Sequence, residues 1–270
     1  MLSRLHHSNS IKVLDVALVN LGPCLITEHR GSDLHQLIQK HKRAPSGAAP
    51  VNGWFGLLIK QLLLGMKYVH AQDVIHTDLK PSNMVVDDGG VLRLIDFGCA
   101  CIDLPGHRTA HRFEEVRLSG LGYATLPYKA IELLCGDMSW GKAVDVWAIG
   151  CVMFEVTVLE PLFNFGPTGT AADVLRGCIA YLGQKDKLGC LCALPKWEPL
   201  YAQAAPAVAD FWMRINTAGV LGADVGRIAI TLLSIDKKER PSIEGCNTLW
   251  DAFCGAAHGS GSQATSHTHL

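Results

Sequence analysis

A chain of 270 residues, 49% apolar and with a formal net charge of -1, can bury a large core in one or two domains. No basic stripe runs through it, which argues against nucleic acid as the main partner, and the first residues lack the apolar run of a secretory signal. The two most apolar stretches, Trp54 to Val69 and Ala143 to Leu159, are interrupted by Lys60, Gln61 and Lys67 and by Asp145 and Glu155, so they read as buried helices and not as membrane spans.

In chain order, Ile11 to Val19 and Pro23 to Thr27 have the β-branched enrichment of two short strands. A short helix is predicted over Asp33 to His41, followed by a Pro-, Gly- and Ser-rich loop from Arg43 to Gly53. Phe55, Leu58, Ile59, Leu62, Leu63, Met66 and Val69 recur with the period of a packed helix. Met84-Val85-Val86 and Val91-Leu92-Arg93-Leu94-Ile95 flank Asp87-Asp88-Gly89-Gly90 as an apolar hairpin. Ala143 to Leu159, apolar nearly all round, predicts a helix at the centre of a domain. Further helices are predicted over Ala172 to Leu182 and after Gly226 and Pro241, and Gln184 to Ala223 is the least legible region. From His258 the composition turns to Ser, Gly, Thr and His, as in a disordered tail.

Ten cysteines without a secretory signal predict reduced thiols and a cytoplasmic or nuclear location. The pairs Cys99/Cys101 and Cys190/Cys192 lack the wider spacing of zinc ribbons and read as buried apolar thiols.

The chemistry is concentrated in Val74 to Val86, V-I-H-T-D-L-K-P-S-N-M-V-V, and in Asp96-Phe97-Gly98 beyond the hairpin. Phosphoryl transfer from Mg-ATP needs a carboxylate to orient a hydroxyl, a cation for the moving phosphoryl group and oxygen ligands for magnesium. Asp78, Lys80, Asn83 and Asp96 can fill those roles in that order. Taken singly these motifs are common; the ordered set in one strand-turn-strand context is not.

On these residues the chain resembles the eukaryotic protein kinases, and within them the CMGC-type group of cyclin-dependent, MAP and Clk-like serine/threonine kinases. Glu28 to Leu34, E-H-R-G-S-D-L, resembles the hinge, with Thr27 at the gatekeeper position; there the resemblance implies adenine binding through the backbone of Glu28 and Arg30. Thr125 to Glu132, T-L-P-Y-K-A-I-E, is similar to the end of an activation segment, with Glu132 implied to pair with Arg240. Asp145, in A-V-D-V-W-A-I-G-C, is implied to hydrogen-bond the backbone around His76, and His76 and Phe97 to stack with Leu2 and Val13. The implied fold is α+β and mainly helical: a remnant of the N-terminal lobe and hinge over 1–30, the C-terminal lobe over 31–255 and a tail over 256–270. The implied mechanism has Asp78 orient a serine or threonine hydroxyl, Lys80 offset phosphoryl charge, and Asn83 and Asp96 hold Mg2+ for ATP. A protein substrate and a regulatory protein partner are expected, with no nucleic acid and no membrane.

Some positions depart from the group's pattern. Thr77 replaces the arginine that commonly precedes the catalytic aspartate, which implies weak dependence on activation-segment phosphorylation. Pro127 and Ile131 replace an aromatic and a proline, and Lys129 replaces an arginine linked to preference for proline after the target residue. No G-x-G-x-x-G occurs, and the family's glutamate and ATP-contacting lysine are expected upstream of Met1. Three readings result: a proline-directed serine/threonine kinase, a truncated or pseudokinase scaffold that binds partners, and a small-molecule phosphotransferase. The protein-kinase reading suits Thr125 to Glu132 better than the last.

Overall fold

A computed structural model describes residues 5–19, 22–28, 31–43, 54–103, 126–166, 169–182, 185–204 and 219–259. Two strands open the fold, β1 (Val13–Val19) and β2 (Gly22–Thr27), paired antiparallel from Val13↔Thr27 to Val19↔Gly22 with an irregularity between Val13 and Asp15. Leu14, Val16, Leu18 and Ile26 of this ribbon are exposed.

The chain leaves the ribbon through Gly31, whose φ of +74° is open to glycine at little cost. A Cβ there would lie 1.8 Å from the Val86 carbonyl oxygen, so no side chain fits against the neighbouring strand. That close approach lets β3 (Ser32–Asp33) pair with the hairpin that follows. Helix α1 (Leu34–Lys42) starts directly afterwards, because the Asp33 carboxylate accepts a hydrogen bond from the Gln36 N–H at 2.8 Å. Its last turn carries Lys40, His41 and Lys42, which complement the negative end of the helix dipole.

Helix α2 (Trp54–Ala71) buries the periodic apolar residues expected of it, together with His70. Strand β4 (Val74–Ile75) leads to the catalytic-loop motif, then to β5 (Met84–Val86) and β6 (Leu92–Leu94), and β7 (Cys101–Ile102) returns to pair with β4. The order β3-β5-β6 forms a small sheet against α1 and α2. The turn between β5 and β6 is closed by Asp87, whose carboxylate accepts from the N–H groups of Gly89 and Val91 and pairs with Arg93.

Among the described residues the remaining α-helices are α3 (Ile131–Leu134), α4 (Ala143–Val158), α5 (Ala171–Leu182), α6 (Trp197–Gln203), α7 (Gly219–Leu232) and α8 (Ile243–Gly259). All residues of α4 from Val144 to Thr157 are buried, as its all-round apolarity predicts. One hydrophobic core, with α2, α7 and α8, packs on Val146, Ile149, Val152 and Met153. The other, with α3, α5 and α6, packs on Trp147, Cys151 and Phe154. Each of these large buried side chains contributes roughly 1.5–3 kcal/mol.

Three expectations need correction. Helix α8 runs through Gly259 and so overlaps the expected 256–270 tail; Ala256 and Ala257, strong helix formers, extend it. Helix α7 begins at Gly219, ahead of Gly226. Cys190 and Cys192 are exposed, whereas Cys135, Cys151, Cys178 and Cys246 are buried and Cys99 and Cys101 half-buried. Among the described residues no helix is long and apolar enough to cross a membrane.

Helix α4 packs tightly at Gly150 on the end of α7, where a Cβ would meet Leu232 Cβ at 3.1 Å and Leu233 Cγ, just past the helix, at 2.8 Å. Overpacking of this kind costs about 1–3 kcal/mol, offset in part by the roughly 1 kcal/mol that alanine gains over glycine in a helix. Gly150→Ala is therefore expected to lower stability by up to about 2 kcal/mol, read as a fall of a few degrees in Tm. An unchanged or raised Tm would show that the helices have room to spare.

Candidate active site

The catalytic-loop motif lies between β4 and a 3-10 turn, Pro81–Asn83, and its shape is imposed from below by α4. Asp145, 1% exposed in the first turn of α4, accepts from the backbone N–H of His76 at Oδ2 (2.9 Å) and of Thr77 at Oδ1 (2.8 Å). His70 Nε2, on α2, lies 2.8 Å from the same Oδ2, and as the carboxylate can only accept, this nitrogen carries the proton. A buried carboxylate without such donors would be costly; here both oxygens are satisfied. The implied contact of Asp145 with the backbone around His76 is thus present.

That clamp holds Thr77 at φ 66°, a left-handed conformation unfavourable for a β-branched residue. The Thr77 hydroxyl then donates to the Cys99 carbonyl at 2.8 Å. The residue in the arginine position thereby ties the loop directly to the start of the activation segment. His76 donates from Nε2 to the Ile95 carbonyl (3.0 Å) and accepts from the Asp78 N–H at Nδ1 (3.4 Å), and its ring lies 4.6 Å from that of Phe97. Of the implied stacking partners, Val13 is half-buried in β1 and Leu2 lies outside the described residues.

Asp78 is presented by this frame with its side chain partly exposed. Lys80 Nζ donates to Asp78 Oδ2 at 2.8 Å, and Asn83 Nδ2 donates to Asp78 Oδ2 at 3.1 Å and to the Asp78 carbonyl at 2.9 Å. With the Asn83 amide nitrogen turned on Asp78, its Oδ1 is the atom left to face a cation. Asp96 stands beside Asn83, because the N–H of Ile95 donates to the Asn83 carbonyl at 3.0 Å where β5 and β6 begin to pair. Asp96 is itself left-handed, at φ 57° and ψ 65°, with Oδ1 accepting from the Gly98 N–H at 3.3 Å. Lys80 and Asn83 thus converge on Asp78, with Asp96 one residue beyond the Ile95–Asn83 backbone bond. An amide oxygen and an exposed carboxylate form a donor set that suits a hard divalent ion such as magnesium.

Glu28 directly follows β2, half-buried, with Oε1 3.3 Å from Arg93 Nε; Thr27, the last residue of β2, is exposed. Arg30 lies outside the described residues, as do Thr125 and the segment from 104 to 124. Glu132 and Arg240 form the implied pair, bidentate at 2.7 Å for both contacts and fully buried. Arg240 also donates to the carbonyls of Ser234 and Ala143, and its guanidinium lies 4.8 Å from the Trp147 ring centroid. Ile131, where the group has proline, is completely buried at the start of α3.

Sequence reasoning missed several contributors. His70 is the third donor to Asp145, hidden as a lone histidine in an apolar helix. Asn9 accepts at its carbonyl from the Leu94 N–H (2.9 Å) and donates to the Leu92 carbonyl (2.8 Å), and the Ile11 N–H donates to the Leu94 carbonyl (2.9 Å). The first segment is therefore stitched to β6, two residues ahead of Asp96. Lys129 is more than a groove residue: burial pulls its ammonium below the usual lysine range, and the Asp78 carboxylate pulls it back. Burial, followed by Asp78 and Asp96, pushes the Cys99 thiol up, so it stands protonated beside the site.

The protein kinase domain profile matches residues 1–249, and the chain belongs to the protein kinase family. Its relatives are serine/threonine kinases of the CMGC type. They include serine/threonine-protein kinase SSN3 of Chaetomium globosum, 32% identical over 60% of this chain and 30% of that protein. Mitogen-activated protein kinase mpkC of Aspergillus oryzae is 34% identical over 60% of this chain and 42% of that one, and human cyclin-dependent kinase-like 4 is 32% identical over 68% and 44%. The chain spans less than half the length of each of these relatives. In fold it matches a chain of the crystal structure of the yeast RNA Pol II CTD kinase CTDK-1 complex, with a TM-score of 0.72 at 23% identity over 91% of this chain and 76% of that one. Protein kinases use ATP and typically Mg2+.

Asp145→Ala would leave the N–H groups of His76 and Thr77 without their buried acceptor. Each buried orphan costs about 1–3 kcal/mol, so a loss of about 3 kcal/mol or more is expected in denaturant unfolding. A loss below 1 kcal/mol would show that the loop holds its shape unaided.

Proposed function

We propose that this chain carries the phosphoryl-transfer centre of a serine/threonine protein kinase that moves the γ-phosphate of ATP to a protein hydroxyl. The observation that carries the reading is the convergence of Lys80 and Asn83 on Asp78, with Asp96 beside Asn83. Asn83 and Asp96 would hold magnesium, which when bound supplies positive charge to offset that of the phosphates. Asp78 Oδ2 is fixed by two donors, which aims the carboxylate at an incoming hydroxyl. That carboxylate accepts the hydroxyl proton, and Lys80 offsets charge on the moving phosphoryl group. Adenine would meet the backbone at Glu28 and Arg30.

The substrate is a protein with proline after the target residue. Support comes from the CMGC-type relatives and from the buried Glu132–Arg240 pair, which anchors the segment that would hold a peptide. Thr77 supports weak dependence on activation-segment phosphorylation: its hydroxyl supplies within the protein a tie between loop and segment. A regulatory protein partner and a cytoplasmic or nuclear setting complete the reading.

Thermal shift and peptide transfer test this together. Mg-ATP is expected to raise the Tm of the chain, Asp96→Asn to remove the magnesium-dependent part, and Asp78→Asn to keep it while lowering transfer about 100-fold or more. Ser-Pro peptides should be preferred to their Ser-Ala counterparts, and phosphatase treatment should leave the rate nearly unchanged. No Mg-ATP shift would sink the catalytic reading and leave partner binding in its place.

A further inference from the structure

Helix α4 buries two carboxylates, and only one of them is satisfied. Glu155, 0% exposed, accepts from the Tyr128 hydroxyl at Oε2 (2.6 Å), while its Oε1 is fully buried without a hydrogen-bond partner. Such an orphan is rare in folded proteins and calls for a reason. Tyr128 is the last residue of the 3-10 turn Leu126–Tyr128, directly before Lys129, so this hydrogen bond fastens the segment to the central helix.

We propose that Glu155 and Tyr128 form a proton-operated latch: residues 126–134 pack firmly on α4 while Glu155 is protonated, and on ionisation the segment loosens because the buried charge needs water at its unpartnered oxygen, even though the Tyr128 hydrogen bond itself becomes stronger. The charges around it are few. His35 on α1 has Nδ1 4.0 Å from Oε1, too far for a hydrogen bond, with its side chain 51% exposed. Glu160, just past the end of α4, opposes ionisation and is itself paired with Lys42. Cys151, one turn earlier on α4, stands as a neutral thiol because burial, followed by Glu155, pushes it up. No cation contacts Glu155 within hydrogen-bond distance among the described residues.

Burial therefore raises the Glu155 carboxyl to about 7, with the Tyr128 hydrogen bond pulling down and Glu160 adding a smaller push upward. The folded state binds this proton more tightly than the unfolded chain does. Its contribution to stability is complete below the ordinary carboxyl range and is lost as pH rises towards and through about 7. Above that, the ionised group can recover a second donor only if the segment loosens to admit water or if His35 swings in.

The latch is a property of the fold; its bearing on substrate access rests on the kinase reading above. Hydrogen exchange of peptides covering 126–134, corrected for intrinsic rates, is followed on the full chain from pH 6 to 8 beside Tm, without nucleotide. Protection in the wild type should fall about tenfold, with α8 unchanged, as the proton leaves over two pH units. Glu155→Gln should abolish the pH dependence. Tyr128→Phe should lower protection at every pH and move the midpoint of the Tm profile to higher pH, since the donor that favours ionisation is gone. Equal pH slopes in wild type and Glu155→Gln would overturn the latch. So would an unmoved midpoint in Tyr128→Phe, which decides the matter if the glutamine variant does not fold. None of these readouts needs ATP or transfer, so a failed kinase reading leaves a different signature.

Discussion

Everything at the active site hangs from the Asp145 carboxylate. A helix buried on all sides cannot shift without disturbing both cores, so a side chain on its first turn is as firm a reference point as the fold has. From there one oxygen fixes Thr77, the other fixes His76, and His70 braces the carboxylate from the opposite helix. The left-handed turn at Thr77 would relax without this hold, and with it would go the direction in which Asp78 points. The backbone that presents Asp78 is thus placed by packing on a distant helix, and Lys80 and Asn83 then hold its carboxylate.

The same helix treats its second carboxylate oppositely. Asp145 meets donors that come from the backbone and cannot leave, whereas Glu155 has one side-chain donor and an empty oxygen. Backbone donors make a permanent structural joint, and a lone hydroxyl makes a joint that responds to charge. With the proposed latch, the Asp78 side of the site is rigid and the 126–134 side adjustable, although both are anchored on one element. The Glu132–Arg240 pair, buried and bidentate, limits how far the adjustable side can travel.

Much of this was legible in the sequence for plain physical reasons. The 3.6-residue period of Phe55 to Val69 and the unbroken apolarity of Ala143 to Leu159 leave few alternatives to buried helices, and both formed close to the expected bounds. The H-T-D-L-K-P-S-N run and Asp96 were readable because their spacing is local and the hairpin between them is short. Glu155 was less so: a helix apolar on every face gives no phase from which to tell where one acid points. His70 reads as packing until Asp145 is seen opposite it. The start of α7 was obscured by Gly219, Gly222 and Gly226, whose low helix propensity is overridden by packing against α4. Asn9 crosses to Leu92 and Leu94 from far along the chain, and such long-range stitching has no local signature.

The position of α4 as a wall shared by two cores has a consequence for how the lobe comes apart. Neither core can be exposed to water while the other stays intact, because each would lose the helix that lines it. The helical lobe should therefore behave as a single cooperative unit, despite having two separate hydrophobic clusters. Heat would melt it in one step, whereas the β1–β2 ribbon, with Leu14, Val16, Leu18 and Ile26 exposed, can open ahead of it.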